Sequence, residues 1–180
     1  MSRIVILNGS PRRGGNTELL ANAFADGARE NGCEVEIINV AECDIHPCVG
    51  CNTCFAREDH SCFQKDGMTA VYEKLRQADT LVIASPVYFY GVSAQLKAAI
   101  DRLHTPMRND FGIKRLGLIL VGAASLPGLF DPILLQYHMT LQFFGLEDIG
   151  AVLVGGAREK GKVLNGDGLK RAYELGKSIS

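Results

Sequence analysis

Apolar residues come along this chain in short unbroken runs, and between the runs they recur at helical spacing. The runs are RIVILN (3–8), EVEIINV (34–40), TLVIAS (80–85), LGLILVGA (116–123) and IGAVLVGG (149–156). Each is rich in Val, Ile or Leu and closes at or beside a Gly, a Ser or another polar residue, which predicts strands covered on both faces, as in a parallel sheet. Segments 16–32, 68–78, 93–103, 130–145 and 166–179 predict helices. In the first of these Leu19, Leu20, Ala23 and Phe24 share a face, and Gly32 supplies a stop. Strand then helix, repeated in this way, predicts a doubly wound α/β sandwich with right-handed crossovers. No repeat, low-complexity stretch or linker interrupts it, so residues 1–180 are expected to form one domain. The irregular stretch is 41–66, a cysteine-rich insertion.

Composition narrows the function. Lys plus Arg number 19 and Asp plus Glu 20, a net charge of -1, so nucleic acid is not an expected partner. No run approaches the ~18 apolar residues of a membrane span, and the first apolar run is too short for a signal peptide. With six cysteines and no export signal, the expected location is the cytoplasm, where clustered thiols point to metal or catalysis before disulfides.

In an open α/β sheet, ligands sit beyond the carboxyl ends of the strands. Three loops lie there: 9–16, 86–92 and 123–128. The first reads NGSPRRGGNTELL. Ser10, Asn16 and Thr17 offer donors, Gly14 and Gly15 let the backbone approach a ligand, and Arg12 and Arg13 add positive charge. The helix N-terminus behind them suits an anion. The pattern is neither G-x-G-x-x-G nor G-x-x-x-x-G-K-[ST], so a single phosphate fits better than a dinucleotide or a nucleoside triphosphate. The plain alternative is a Gly-rich turn in which Asn16 or Thr17 is an ordinary N-cap. In the second loop, Tyr88, Phe89 and Tyr90 form the densest aromatic cluster of a chain without Trp. They suit a flat ring, or equally a neighbouring helix or second subunit.

GSPRRGGNT and SPVYFYGVSAQLKAAIDR (85–102) resemble the two signatures of the NAD(P)H-dependent FMN reductase family, whose members are flavodoxin-like. The resemblance runs through most of the chain. It implies a three-layer sandwich with a five-stranded parallel sheet in the order 2-1-3-4-5 and helices on both faces. It implies FMN, with Ser10, Arg12, Gly15, Asn16 and Thr17 at the phosphate. Pro86, Val87, Tyr88, Phe89, Tyr90 and Gly91 would cradle the ring, chiefly through main chain, and Ser125 would approach its edge. Ala123-Ala124-Ser125 departs from the family's T-G-G. Lys97, Asp101 and Arg102 belong to the second signature and read as a charged helix face with an ion pair. His46, His60, His104 and His138 are scattered, which fits a flavoenzyme whose cofactor N5 carries the chemistry.

The implied activity is electron transfer from NAD(P)H through FMN to a quinone, flavin or other small acceptor, by a homodimer or homotetramer. Two alternatives stand beside it: an iron–sulfur flavoprotein that carries electrons for a redox-protein partner, and a non-enzymatic flavin-binding module. The cysteines bear on that choice. Cys48, Cys51 and Cys54 stand two residues apart and Cys62 follows after seven more. Such tight spacing suits a cubane cluster better than zinc, whose C-x-x-C pairs usually lie further apart. The motif also resembles that of the iron–sulfur flavoproteins, implying a [4Fe–4S] cluster. Free or reversibly oxidised thiols are the next reading and zinc the last. Cys33 and Cys43 lie outside the motif and read as plain thiols.

Overall fold

The computed structural model describes residues 1–180. Its five parallel strands are β1 (Arg3–Asn8), β2 (Glu34–Asn39), β3 (Thr80–Pro86), β4 (Arg115–Val121) and β5 (Glu147–Val154), in the order β2-β1-β3-β4-β5. The helices are α1 (Asn16–Glu30), α2 (Thr53–Ala56), α3 (Met68–Gln77), α4 (Ala94–Asp101), α5 (Asp131–Phe144) and α6 (Gly168–Lys177). Each predicted strand and helix is present, with ends moved by a few residues.

Both faces of the sheet are covered, which is why the central strands read as continuous apolar runs rather than as alternation. Along β1, Ile4 and Ile6 face a core made with Leu20, Phe24 and Ala28 of α1 and Ala172 of α6. Val5 and Leu7 face the opposite core, made with Met68 and Leu75 of α3, Leu96 of α4, and Ile133 and Tyr137 of α5. Helices α1 and α6 touch backbone to backbone. A Cβ on Gly27 would fall 2.0 Å from the Tyr173 carbonyl oxygen, and one on Gly176 would fall 2.0 Å from that of Phe24.

Two ends differ from the sequence expectation for visible reasons. Strand β2 stops at Asn39 because Val40 turns inward into a 3₁₀ turn and is 1% exposed. Strand β5 begins earlier, at Glu147, which pairs with Arg115, and its register against β4 then shifts between Leu116 and Leu118, near the left-handed Gly150. The short α2 lies inside the cysteine segment, where no helix was expected.

Candidate functional site

The three loops meet at the carboxyl edge of β1, β3 and β4. Strand β1 runs into Gly9, whose N–H donates to the Ala84 carbonyl at 2.8 Å. The Ser93 hydroxyl donates to the Gly9 carbonyl at 2.6 Å and also caps α4 by accepting from the Leu96 N–H. A Cβ at Gly9 would fall 2.6 Å from that of Leu96, so only glycine allows the two loops this approach. Beyond it, Ser10 is buried and its hydroxyl accepts from the Arg12 N–H at 3.3 Å. Gly14 is left-handed, with φ 60.

Helix α1 then starts with Gly15 as N-cap and no side-chain cap. No protein carbonyl accepts from the backbone N–H groups of Asn16, Thr17 or Glu18. The Glu18 carboxylate instead turns back to accept from the Gly14 N–H at 2.7 Å. Thr17 is 2% exposed at the same point. A Cβ on Gly14 would lie 3.2 Å from the Lys160 ammonium, which places a cation over the loop that sequence reading missed. Arg12 is exposed, while Arg13 pairs with Glu42 at 2.9 Å.

Asn16 has a different place from the one its motif suggested. Its side-chain amide donates to the carbonyls of Ala157 and Glu159 at 2.8 and 2.7 Å, and its oxygen accepts from the Val163 N–H at 3.4 Å. The side chain therefore ties the 157–163 loop to the first loop, and its main-chain N–H has no protein carbonyl partner. The third loop is clipped to the same segment, since Ala124 accepts from the Gly156 N–H and Gly122 from that of Ala157, both at 2.9 Å. Ser125 is exposed, its hydroxyl 2.7 Å from where a Gly156 Cβ would stand.

The second loop is a tight hairpin. Val87 donates to the Val121 carbonyl at 2.8 Å, and Tyr88 and Gly91 exchange hydrogen bonds of 2.9 and 3.0 Å. The two residues between them, Phe89 and Tyr90, are both left-handed, with φ 49 and 65. The aromatic residues, not the closing glycine, take the left-handed backbone positions. Gly91 has ordinary φ, and a Cβ there would meet only the Tyr88 oxygen at 3.7 Å. Left-handed geometry costs a non-glycine residue about 1–2 kcal/mol, and here it holds Phe89 fully outward, 99% exposed. Pro86 and Val87 are half-buried at the base of the hairpin. Cavities lie beside Arg3, Glu34 and Lys74, among Leu103, Phe111 and Phe144, and in the seam between α4 and α5. The carboxyl-edge site is an open surface walled by loops.

The cysteine segment hangs beside this edge. All six cysteines are free; Cys48 and Cys51 are exposed, Cys54 and Cys62 half-buried. Gly50, Asn52 and His60 take left-handed backbone. The Thr53 hydroxyl lies 3.2 Å from the Cys51 sulfur and draws that thiol below its usual range. Burial pushes the thiols of Cys33 and Cys43 up, as befits plain thiols. No three His, Cys, Asp or Glu side chains converge into a ready ion site. The histidines form no triad: the His60 ring lies 3.3 Å from the Cys54 carbonyl, and His104 packs between Phe55 and Phe143.

A buried ion pair ties both ends of the segment, beside hydrogen bonds from the Gly67 N–H to the Asp44 carbonyl at 2.7 Å and from the Gln64 side chain to the Pro47 carbonyl at 3.2 Å. Asp66 and Arg102 hydrogen-bond with side chains 2% exposed each. Asp66 accepts from the N–H groups of His46 and Met68 at 2.9 and 3.1 Å, and Arg102 donates to the His46 carbonyl at 3.1 Å. Burial opposes the Asp66 charge, but the guanidinium and the two N–H groups outweigh it and hold the carboxyl below its ordinary range. Of the charged signature residues, Lys97 and Asp101 form the expected exposed pair at 2.5 Å. Arg102 instead turns inward, three residues past the buried Ala99. Its partner lies 36 residues upstream, just before α3, which a local reading of the helix face does not reveal.

The fold is that of a flavodoxin-like α/β protein, with three loops meeting at the carboxyl edge of its sheet. The family profile for NADPH-dependent FMN reductase matches residues 2–158, and the chain belongs to that family. Among curated proteins, an iron-sulfur flavoprotein of Methanocaldococcus jannaschii is 34% identical over 99% of this chain and 95% of its own length. Among solved structures, an NAD(P)H:quinone oxidoreductase from Methanothermobacter marburgensis superposes with a TM-score of 0.73 at 18% identity, covering 98% of this chain and 96% of its own. An FMN-dependent NADH-azoreductase from Bacillus anthracis, in complex with FMN, gives 0.68 at 16% identity over 98% of each chain.

Proposed function

We propose that the protein is an FMN-dependent oxidoreductase that takes electrons from NAD(P)H and passes them to a quinone, flavin or other small acceptor. The observation that carries this reading is the uncapped start of α1, with its free N–H groups, behind the left-handed Gly14. A Cβ on Gly15 would fall 2.8 Å from the Arg12 carbonyl oxygen, so the turn is shaped for an anion to meet bare backbone. That cradle has the size and donors for one phosphate and so fits FMN. Ser10, Thr17 and the main chain at Gly15 and Asn16 would hold the phosphate, with Arg12 and Lys160 supplying charge. Pro86 to Gly91 would face the ring, and the N–H groups of Phe89 and Tyr90 are those the hairpin leaves free for it. Ser125 stands toward the ring edge. When bound, FMN accepts a hydride from the nicotinamide and releases electrons singly or in pairs; the protein's part is to place it and shield one face.

A second reading concerns the electron route. Four free thiols in C-x-x-C-x-x-C-x7-C, on a segment wound by left-handed Gly50 and Asn52, are chemically suited to a [4Fe–4S] cluster. Cys48, Cys51, Cys54 and Cys62 would be its ligands, and the protein would then also carry electrons to or from a redox protein. The stripe Leu135, Met139 and Phe143 along α5, each more than 60% exposed, supports a homodimer or homotetramer.

Anaerobic purification followed by an absorption spectrum, iron and sulfide assay, and NAD(P)H oxidation with ferricyanide tests both readings. A yellow protein that releases FMN and oxidises NAD(P)H is expected. Protein that is colourless and gains no flavin from excess FMN would sink the first reading; flavin without iron would sink the second.

A further inference from the structure

At the amino-terminal ends of β3 and β4, the opposite edge of the sheet from the three loops, lies an apolar cavity of about 200 Å³. Its floor is Leu75 of α3, Leu81 of β3 and Leu116 of β4, all buried, and Leu103, Phe111 and Phe144 rise around it. Only three polar residues reach it: Arg108, Asn109 and Thr140. A smaller space of about 90 Å³ shares Leu81, Leu103, Leu116 and Thr140, so the hollow continues beneath α5.

Well-packed interiors leave few voids larger than a water molecule. Water settles in such a space only where two to four polar partners meet it, and this floor offers none. The Thr140 hydroxyl on the wall already donates to the Gln136 carbonyl at 2.8 Å. A dry cavity of ~150 Å³ lined by Leu, Ile and Phe takes up benzene, so the room here suits a ring or a short alkyl chain.

The mouth carries an unmatched cation. Arg108 sits on the 3₁₀ turn Pro106–Asp110 and takes part in no ion pair. Asp110, the nearest acid along the chain, is exposed and does not pair with it. The guanidinium lies over the rings of Phe143 and Phe144, 5.7 and 5.5 Å from their centroids. One nitrogen donates to the Thr105 carbonyl at 3.3 Å, which uses only one of the fork's five donors. The turn holds Arg108 in place: Met107 is buried beside it, the Phe111 N–H donates to the Arg108 carbonyl at 3.1 Å, and the Gly112 N–H to that of Leu75 at 3.3 Å. Lys97, the other cation on the seam, is by contrast spent on Asp101 at 2.5 Å. A planar fork at the rim of an apolar pocket matches a carboxylate that carries an apolar tail.

We propose that this cavity is a binding site for a small amphipathic carboxylate, the size of a medium-chain fatty acid or an arylalkanoic acid. The carboxylate takes the Arg108 fork, with the Asn109 amide beside it, and the apolar body lies on Leu75, Leu81 and Leu116. Leu81 to Pro86 and Leu116 to Val121 each span five steps of strand, roughly 16 Å to the carboxyl edge. A ligand here therefore does not touch the proposed flavin site. It is an effector or a cargo rather than an electron acceptor, and the proposal stands apart from the flavin reading.

The test uses full-length protein as purified, titrated calorimetrically with octanoate and with its neutral counterpart 1-octanol. One octanoate per chain is expected, with an affinity in the high-micromolar to millimolar range, and weaker binding of 1-octanol. Arg108 is half-exposed, so Arg108→Gln keeps the fold and the stem over the rings while removing the charge. Octanoate should then bind roughly tenfold more weakly, while 1-octanol changes by less than about twofold. Thr140→Phe fills the hollow from α5 and should abolish binding of both, with the far-ultraviolet circular dichroism unchanged. No octanoate binding in the wild type, or equal affinity in Arg108→Gln, would overturn the proposal. Binding that survives Thr140→Phe would place the ligand outside the cavity and overturn it too. A seam filled by a second copy would show in sedimentation as a dimer that takes up no octanoate and dissociates in Thr140→Phe, and that result likewise overturns it.

Discussion

The loop after β1 and the cysteine segment after β2 follow neighbouring strands, yet they are held in opposite ways. The loop after β1 is fixed by the scaffold itself: Gly9 against β3 and α4, Gly14 and Gly15 into α1, and Asn16 bridging to the 157–163 loop. Many modest contacts share its support. The segment after β2 has little secondary structure, left-handed backbone at Gly50, Asn52 and His60, and exposed thiols, and the one buried ion pair that ties its ends is joined only by the hydrogen bonds from Gly67 to Asp44 and from Gln64 to Pro47. Distributed support gives a preformed site in which each tie carries a smaller share of the load. Concentrated support gives one that stands or falls with a single pair of side chains.

The difference predicts unequal sensitivity. Asp66→Ala leaves the Arg102 charge buried with only the His46 carbonyl to meet it, and breaking a buried pair this way costs about 3–5 kcal/mol. Chemical denaturation of the flavin-loaded protein should show a loss of that size. Protease cleavage within 46–66 should rise at the same time, while cleavage in 9–17 should not. A loss below about 1 kcal/mol would place the segment's support elsewhere and dissolve the contrast.

Asn16→Ala comes next. It removes three hydrogen bonds and leaves the carbonyls of Ala157 and Glu159 without their donor. The expected cost is about 2–3 kcal/mol, because unsatisfied buried groups lose their full desolvation. FMN and riboflavin affinities should weaken by the same factor, since the side chain supports the loop rather than touching the phosphate. Selective loss of FMN would show that the amide contacts phosphate after all.

Much of this was legible in the residue pattern. Continuous apolar runs gave the strands and their covered faces, and Gly-Gly before Asn-Thr marked the start of α1. What was not legible follows from long-range geometry. The tie from Asn16 to residues 157–163 spans 141 positions and more, and no local pattern encodes it. Phe89 and Tyr90 hold left-handed backbone against their own preference, which no local propensity reveals. Arg102 looks like one more charge on an exposed helix because its partner is 36 residues upstream.

A smaller effect tests the charge over the loop. Arg12→Ala and Lys160→Ala each remove a cation near the phosphate position without touching the loop's hydrogen bonds. FMN binding, read by quenching of flavin fluorescence, should weaken by about tenfold, roughly 1.4 kcal/mol, whereas riboflavin binding should be unchanged. Equal loss for both ligands would mean that these side chains act on the ring or on the fold. The loop's distributed support predicts that neither variant changes stability in denaturant.

The smallest effect comes from Asp79, far from both regions at the amino-terminal edge of β3, and it serves as a baseline for what a partly exposed ionic tie contributes. Asp79 accepts from the Ser2 hydroxyl at 2.7 Å, the Arg3 N–H at 2.9 Å, the Thr80 hydroxyl at 2.6 Å and Arg115 at 2.7 Å. Burial opposes its charge, but these donors outweigh it and bring the carboxyl down to about 2. The folded value lies below the unfolded one, near 4. The tie therefore contributes fully above pH ~4 and is lost as pH falls toward 2. A two-unit shift corresponds to about 2.5 kcal/mol, which partial exposure reduces to about 1 kcal/mol. In urea, the stability advantage of the wild type over Asp79→Asn should shrink by that amount between pH 5 and pH 2. An advantage that does not change with pH would mean that the Asp79 carboxylate is no more tightly held than one in the unfolded chain. The Asp66 variant should then stand out against this baseline by a few kcal/mol, because burial rather than ion pairing as such is what makes the Arg102 tie decisive.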